Sequence, residues 1–487
     1  MIGLAWLMSS ARWRVNWRLV MMALGLQFLL AAIFFNSQNW TFPRHVPSFP
    51  DLAAAVDEQR ISVEQAEIGL GLDGNRPLKI GGLELDSYES LRDAVADQRI
   101  DWESIPALNG GIQVPRFPGG IVFYGVDSFF QLIQQSVAAG ASFVFRIKAP
   151  EDVDPLINPL MLLSSFAFGI LPTIIFFAAL MSVLYYLGVM QLLIRGMAWL
   201  MRKTLGTTGA ESLAAAANVF VGHTEAPLVV RPYVASMTRS ELNALMVTGF
   251  STISGSLMAV FAAQGFSAGH LLTASLISAP AALLLAKIMQ PETETPARID
   301  DVESRMQANA TNVIEAAANG ASEGMKLAIN IAAMLIAFLA LIEMVNILLI
   351  GIGSLVGWDL SLSTLFGLLF WPLAWLMGIE TGDCLAAGDL LGKKMVINEF
   401  LAYLEMDRIV AGQVEGVSIS PRTETILIYA LCGFSNFGAI GIQLGGIGPL
   451  APQRKSDLAQ LGLRAMLGGM LASCMTACIA GIFYGML

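Results

Sequence analysis

Two short stretches hold acids where an apolar chain has little reason to put them. Asn218 to Pro232 reads "NVFVGHTEAPLVVRP", and a later stretch ending at Tyr403 reads "GDLLGKKMVINEFLAY". A charge at the centre of a membrane helix costs about 2.5–3.5 kcal/mol, and Pro227 removes a backbone donor that lipid cannot replace. Glu225 and Glu399 therefore need partners that lipid does not supply. A carboxylate that accepts protons from two vicinal hydroxyls is a strong, charge-assisted partner for a sugar diol. An apolar or aromatic face with a few polar contacts suits a flat base. Unwound helix ends supply the hard carbonyl oxygens that a small cation such as sodium wants.

The same grammar surrounds each acid. Each stretch is apolar, is interrupted by Gly, and is followed by a span that is itself interrupted, at "GFSTISGS" from Gly249 and at "CGFSNFGAIGI" from Cys432. Basic residues place the first stretch as entered from inside, while the second follows a span that exits and is entered from outside. Paired, interrupted segments of opposite topology predict inverted repeats around a midplane site, because irregular backbone at that depth must line a cavity. The expected fold is an all-α membrane protein with two re-entrant helical hairpins and two broken helices, plus a small extramembrane insertion.

Composition supports this reading. Hydrophobic residues make up 55% of the 487 and charged residues 14%, against about 25% charged in soluble domains; mean hydropathy is +0.64. The formal charge of −10 is concentrated: residues 37–154 hold nine Lys/Arg against 17 Asp/Glu. No basic stripe suggests a nucleic-acid partner. The four cysteines lie in or beside apolar runs and read as small buried hydrophobes.

Along the chain, residues 1–36 form an N-terminal membrane segment, with Arg12, Arg14 and Arg18 holding its start inside. Residues 37–120 form an acidic extracytoplasmic insertion with a weak internal echo, "AVDEQRISVE" from Ala55 and "AVADQRIDWE" from Ala94, read as two helix-plus-turn units. Residues 121–207 hold an interfacial helix and a scaffold span, with the break expected at "GILP". Residues 208–290 carry the first hairpin, broken helix and span. Residues 291–352 hold a polar amphipathic connector and another span, and 353–487 repeat the hairpin, broken helix and span. Glu343 is a further intramembrane acid, read as facing a subunit contact or a crevice, or as a proton relay.

The stretches "AESLAAAANVFVGHTEAPLVVRPYVASMTRSEL", "GDLLGKKMVINEFLAY", "ALCGFSNFGAIGIQLGGIGPLAPQRKSDLAQLGLRA" and "ILPTIIFFAALMSVLYYLGVMQ" resemble the concentrative nucleoside transporters. The resemblance covers Leu19–Phe35 and about Phe143 to the C-terminus. It implies a homotrimer in the inner (plasma) membrane that imports nucleoside by alternating access with sodium, or alternatively with protons, and has no enzymatic cofactor. It also implies that His223, Thr224 and Glu225 meet the base, that Leu257 and Phe434 pack on it, and that Glu399 and Asn436 hold the ribose. Sodium would be held by the Asn218 side chain, the Thr252 hydroxyl and backbone oxygens near Val221 and Ile253. The chain departs from the family at His223, where Gln is usual, and at Gly438 and Ala439, which both stand where Ser is usual. The pocket is thereby expected to be retuned toward the base and away from ribose. A span that usually precedes the "NW" motif is expected to be truncated.

Two other classes compete. An intramembrane hydrolase would draw on three histidines, His45, His223 and His270, and the chain has no HExxH. A membrane receptor or sensor could bind nucleoside and signal through the acidic insertion.

Overall fold

The computed structural model describes residues 1–36 and 171–484, apart from 224, 265, 297–309, 357–359 and 415, together with short stretches between 43 and 137. The chain divides into two compact units: Met1–Ala32 with Phe129–Met486, and Ile33–Ser128 with Leu487.

The larger unit is helical. After α1 (Ile2–Leu7) and α2 (Trp17–Asn36), with α3 (Tyr88–Ala96) belonging to the smaller unit, come α4 (Leu171–Tyr186) and α5 (Val189–Leu205). The α4–α5 pair is bent by 76°. The bend falls at Leu187–Gly188, where Gly188 takes a left-handed φ of 82° that glycine alone adopts without strain. The interfacial piece expected before "GILP" lies outside the described residues; Leu171 of that string begins α4, and the bend at Gly188 is a further one that the sequence reading did not foresee. Helix α5 buries Met190, Ile194, Met201 and Leu205 along one face.

The hairpin, broken helix and span then occur twice. The first set is α6 (Gly209–Val221), a tip from Gly222 to Glu225, the short turns α7 (Ala226–Val229) and α8 (Arg231–Val234), the broken helix α9 (Arg239–Ser251) and α10 (Gly255–Ala263), and the span α11 (Ala268–Met289). The second set, after α12 (Val313–Val356) and α13 (Leu362–Leu376), is α14 (Cys384–Val396) and α15 (Glu399–Val410), the broken helix α16 (Pro421–Leu431) and α17 (Phe437–Ile447), and the span α18 (Lys455–Phe483). Among the described residues, Trp17–Phe35, Arg239–Ala262, Ala268–Met289 and Pro452–Phe483 are long and apolar enough to cross a membrane, and the bent α4–α5 pair makes a fifth. The last part of the expected connector, from Val313, and the span after it form one 44-residue helix, α12. Its start is fixed by the Asn312 side chain, which accepts from Glu315 N at 2.8 Å.

Small residues let these helices approach closely. Gly320 and Gly324 of α12 sit against α4, where an added Cβ would lie 2.5 Å from Ala178 O and 2.8 Å from the Ile175 Cα. This i, i+4 small-residue pair is a usual device for close packing in membranes. Gly388 of α14 meets α13 in the same way, at 2.5 Å from Gly367 O.

The smaller unit pairs β1 (Pro43–Val46) antiparallel with β4 (Ile112–Pro115), in a register that sets Pro43 opposite Pro115 and Val46 opposite Ile112, and β2 (Leu78–Ile80) with β3 (Leu83–Leu85). Helix α3 begins with a Ser87–Ser90 capping box. The insertion is thus partly strand, which the helix-plus-turn reading did not foresee, and the first echo lies outside the described residues.

A buried ionic node ties the first hairpin to the helices behind it. Two Thr-x-x-Glu capping boxes, Thr208/Glu211 and Thr238/Glu241, start α6 and α9. They are cross-linked by the Thr208 hydroxyl donating to Glu241 at 2.6 Å. Lys287 of α11 forms an ion pair with Glu211 at 2.7 Å and donates to the Ser240 hydroxyl at 3.0 Å. Removing one partner strands the other, and Glu211 is only 2% exposed. Lys287→Met is expected to destabilise the protein by about 3–5 kcal/mol. Thermal melting of the detergent-solubilised protein measures the loss, and Lys287→Met combined with Glu211→Gln should recover much of it.

Candidate substrate and cation site

Helices that stop inside the unit leave backbone groups without intrahelical partners, and the sequence supplies caps at each break. Ser254 accepts from Leu257 N at 3.4 Å and starts α10. Asn398 accepts from Leu401 N at 2.9 Å and starts α15, which puts Glu399 in that helix's first turn, where the helix dipole favours an anion. Asn436 accepts from Ala439 N at 2.8 Å and starts α17. Its amide nitrogen donates to Glu399 Oε2 at 3.2 Å, so the two residues assigned to ribose meet directly, and both are buried.

The first tip reaches the same place. The ring of His223 packs edge-on against Phe434, with centroids 4.4 Å apart at 67°. Phe434 lies in the same break as Asn436. Gly222, at φ 81°, brings the tip against the α9–α10 break; a Cβ there would lie 2.9 Å from Ser254 Cβ and 3.7 Å from the Phe434 ring. His223 is 7% exposed, and neither ring nitrogen has a hydrogen-bond partner among the described residues. Buried polar atoms are ordinarily partnered, so these nitrogens are available to a ligand. Leu257 is buried on the first turn of α10, and Ala439 is buried on the first turn of α17. Glu225 is exposed at the tip. Thr224 lies outside the described residues.

The residues expected to hold the cation lie toward the end of α6 and in the break after α9. Asn218 Nδ2 donates to Ala214 O at 3.0 Å and to the Thr248 hydroxyl at 3.1 Å, while its Oδ1 is buried with no partner among the described residues. The Thr252 hydroxyl donates to Thr248 O at 3.1 Å. Thr252 and Ile253 form the break itself, and Val221 ends α6. An orphaned carbonyl oxygen beside a helix C-terminus fits a hard cation. Among the described residues no cluster of three or more His, Cys, Asp and Glu could hold a metal.

Three residues of this region escaped the sequence reading. Gln443 of α17 donates to Met246 O at 3.2 Å. Gly249 is wedged between Gln443 and His223, where a Cβ would lie 2.7 Å from Gln443 Nε2 and 2.8 Å from His223 Cβ. Lys394 is fully buried on α14. The reading also passed over "GFSAG" at Gly265 to Gly269, which has the GxSxG spacing of a serine hydrolase. Ser267 caps α11 by accepting from His270 N at 3.3 Å, and His270 Nδ1 lies 2.8 Å from the Tyr429 hydroxyl. The string therefore serves as a helix start, with its histidine turned to a tyrosine.

Residues 1–41 match the family described as Na+ dependent nucleoside transporter N-terminus, residues 167–266 match Nucleoside recognition, and residues 270–481 match Na+ dependent nucleoside transporter C-terminus. An uncharacterized transporter of Haemophilus influenzae is 49% identical over 325 residues, 66% of this chain and 77% of that one. The chain belongs to the sodium-dependent nucleoside transporter family. Sodium/nucleoside cotransporter 1 of Rattus norvegicus is 43% identical over 75% of this chain, which spans 56% of the rat protein. The solved structure of CNTnw in an inward-facing substrate-bound state aligns with a TM-score of 0.74 and 34% identity, covering 99% of this chain and 95% of that one. CNTnw variants have also been solved in outward-facing and intermediate states, which fits alternating access. The family is one of carriers, not enzymes, and sodium is its coupling ion.

The wedge at Gly249 gives a test of how the first tip is held. Gly249→Ala forces the His223 backbone and Gln443 apart, an overpacking of about 1–3 kcal/mol. Apparent nucleoside affinity should fall by about tenfold with normal membrane yield, read from the KM of uptake.

Proposed function

We propose that this chain is a sodium-coupled nucleoside importer of the cell's inner (plasma) membrane, working as a homotrimer, with nucleoside held between the first hairpin tip and the second broken helix. The observation that carries the reading is the buried Glu399–Asn436 pair standing beside the His223–Phe434 contact. A carboxylate and an amide able to take a sugar diol adjoin an aromatic ring and an imidazole able to take a base. Phe434 and Leu257 offer the apolar faces. His223, Thr224 and Glu225 offer the polar ones.

Sodium is assigned to Asn218 Oδ1, the Thr252 hydroxyl and the backbone oxygens of Val221 and Ile253. The tip carrying His223 is continuous with the helix carrying Asn218, so an ion between α6 and α9 steadies the tip that meets the base. That continuity is the coupling: ion and substrate each favour the same arrangement of one hairpin. Energetically one ion suffices. A potential of 100 mV supplies about 2.3 kcal/mol per charge. A tenfold sodium gradient adds about 1.4 kcal/mol, and the sum supports accumulation of roughly 500-fold.

Replacing sodium by choline at fixed pH should abolish concentrative uptake of labelled uridine into proteoliposomes. Asn218→Ala should raise the sodium concentration needed for half-maximal uptake at least several-fold. Uptake undiminished by choline across a range of pH would instead assign the coupling to protons.

Glu399→Gln and Asn436→Ala should each impair uptake without loss of assembly. Leaving a buried partner unpaired costs about 1–3 kcal/mol, and more where a charge is involved. The expected readout is a five- to hundred-fold weaker apparent affinity, roughly the same energy expressed as binding. Wild-type affinity in both variants would move the sugar elsewhere.

A further inference from the structure

Lys394 has no role in the site described so far, yet it is fully buried. It lies near the end of α14, three residues before the break at Ile397. Its ammonium donates to Ala430 O at 2.8 Å and to Cys432 O at 3.3 Å. Those two oxygens are the terminal carbonyls of α16, the first half of the second broken helix. Cys432 O also accepts from the Ser473 hydroxyl at 2.6 Å. The neighbour Lys393, by contrast, is spent on Asp389 and Glu405 through ion pairs of 2.8 and 3.5 Å.

The first set has the same layout with one change. Asn218 lies near the end of α6, four residues before the break at Gly222, and faces the end of α9, whose C-cap is Thr252 as Cys432 is the C-cap of α16. Here the hairpin residue is neutral and its Oδ1 is left over. A broken helix that ends inside a membrane protein presents a negative dipole end and free carbonyls, and both ask for a cation. In the first set the protein offers oxygens and no charge. In the second it offers the charge itself, on a side chain.

We propose that Lys394 is a tethered cation occupying the second set's counterpart of the sodium site, so that the carrier needs one mobile cation per nucleoside rather than two. The inference rests on Asn218 and Thr252 marking the first-set sodium site. Lys394 travels with its hairpin and satisfies the α16 carbonyls in every state, so it contributes no gradient energy.

The test uses full-length carrier in proteoliposomes and compares wild type, Lys394→Arg, Lys394→Ala and Asn218→Ala. Sodium and uridine fluxes are measured together, along with the Hill coefficient for sodium. Wild type and Lys394→Arg should move one sodium per uridine. Lys394→Ala should show weak uptake that requires more sodium, a Hill coefficient near two and two sodium ions per uridine, and propylammonium should restore uptake by filling the vacated place. Lys394→Ala with the wild-type ratio, the wild-type sodium dependence and no response to propylammonium would overturn the proposal. If Asn218→Ala leaves sodium dependence unchanged, the first-set reading fails. Propylammonium rescue of Lys394→Ala then decides alone, rescue sustaining the tethered cation and its absence overturning it. Should Lys394→Ala yield too little active carrier, the melting temperature of the solubilised variant in choline chloride and in propylammonium chloride replaces the flux measurement. A higher value in propylammonium supports the proposal, and equal values overturn it.

Discussion

The structure depends on the cost of an unsatisfied backbone group at membrane depth. Lipid offers no hydrogen bonds, so a helix that stops partway must find partners for its terminal N–H and C=O groups within the protein. The breaks at Thr252–Ser254, Ile397–Asn398 and Cys432–Asn436 each find partners for the N–H groups, and the last also finds them for its carbonyls. Ser254, Asn398 and Asn436 take the N–H groups on one side. On the other side, Lys394, Ser473 and Tyr403 take carbonyls from the last turn of α16. Binding capacity is the remainder left after this accounting: Asn218 Oδ1 and the two nitrogens of His223 stay unclaimed among the described residues.

The same constraint explains why so many small residues gather here. Gly222, Gly249 and Gly433 each lie where another element's backbone or Cβ would collide with a side chain, and Gly433 is held at φ 116° against Phe250 O. A tip can present its imidazole beside the aromatic ring of an opposing break only if both backbones come this close. Rigidity is supplied further away, by the buried Lys287–Glu211 pair and its capping boxes at the start of α6 and α9. The first hairpin is thus fixed at its base by charge and shaped at its tip by the absence of side chains.

Much of this was legible in the sequence because the departures from a plain apolar run are local. Gly, Pro and an acid within six residues announce the first tip, and the repeat of the pattern announces the second. Partnerships between distant residues were not legible. Lys394 finds its carbonyls 36 residues on, and Gln443 finds Met246 O 197 residues back; an isolated "KK" or Gln in the string carries no sign of either. The bend at Gly188 was missed because one glycine between Leu187 and Val189 is a weaker signal than the proline in "GILP". The continuity of α12 was missed because polarity changes along the chain while helical geometry does not. The strands of the insertion are three and four residues long, too short for alternation to rise above noise.

The ladder between β1 and β4 has a further consequence. It sets Val46 opposite Ile112, so residues 47–111 leave and return at neighbouring points, about 5 Å apart between Cα atoms as in any antiparallel pair. To the rest of the chain that long excursion is equivalent to a short hairpin. Closure entropy grows only with the logarithm of loop length, about 0.6 kcal/mol per doubling, and here the closure is made locally by the excursion itself. Such a segment can be exchanged, lengthened or replaced over generations while the carrier's own folding problem stays the same size, which makes this the position where the protein is free to acquire a second vocation.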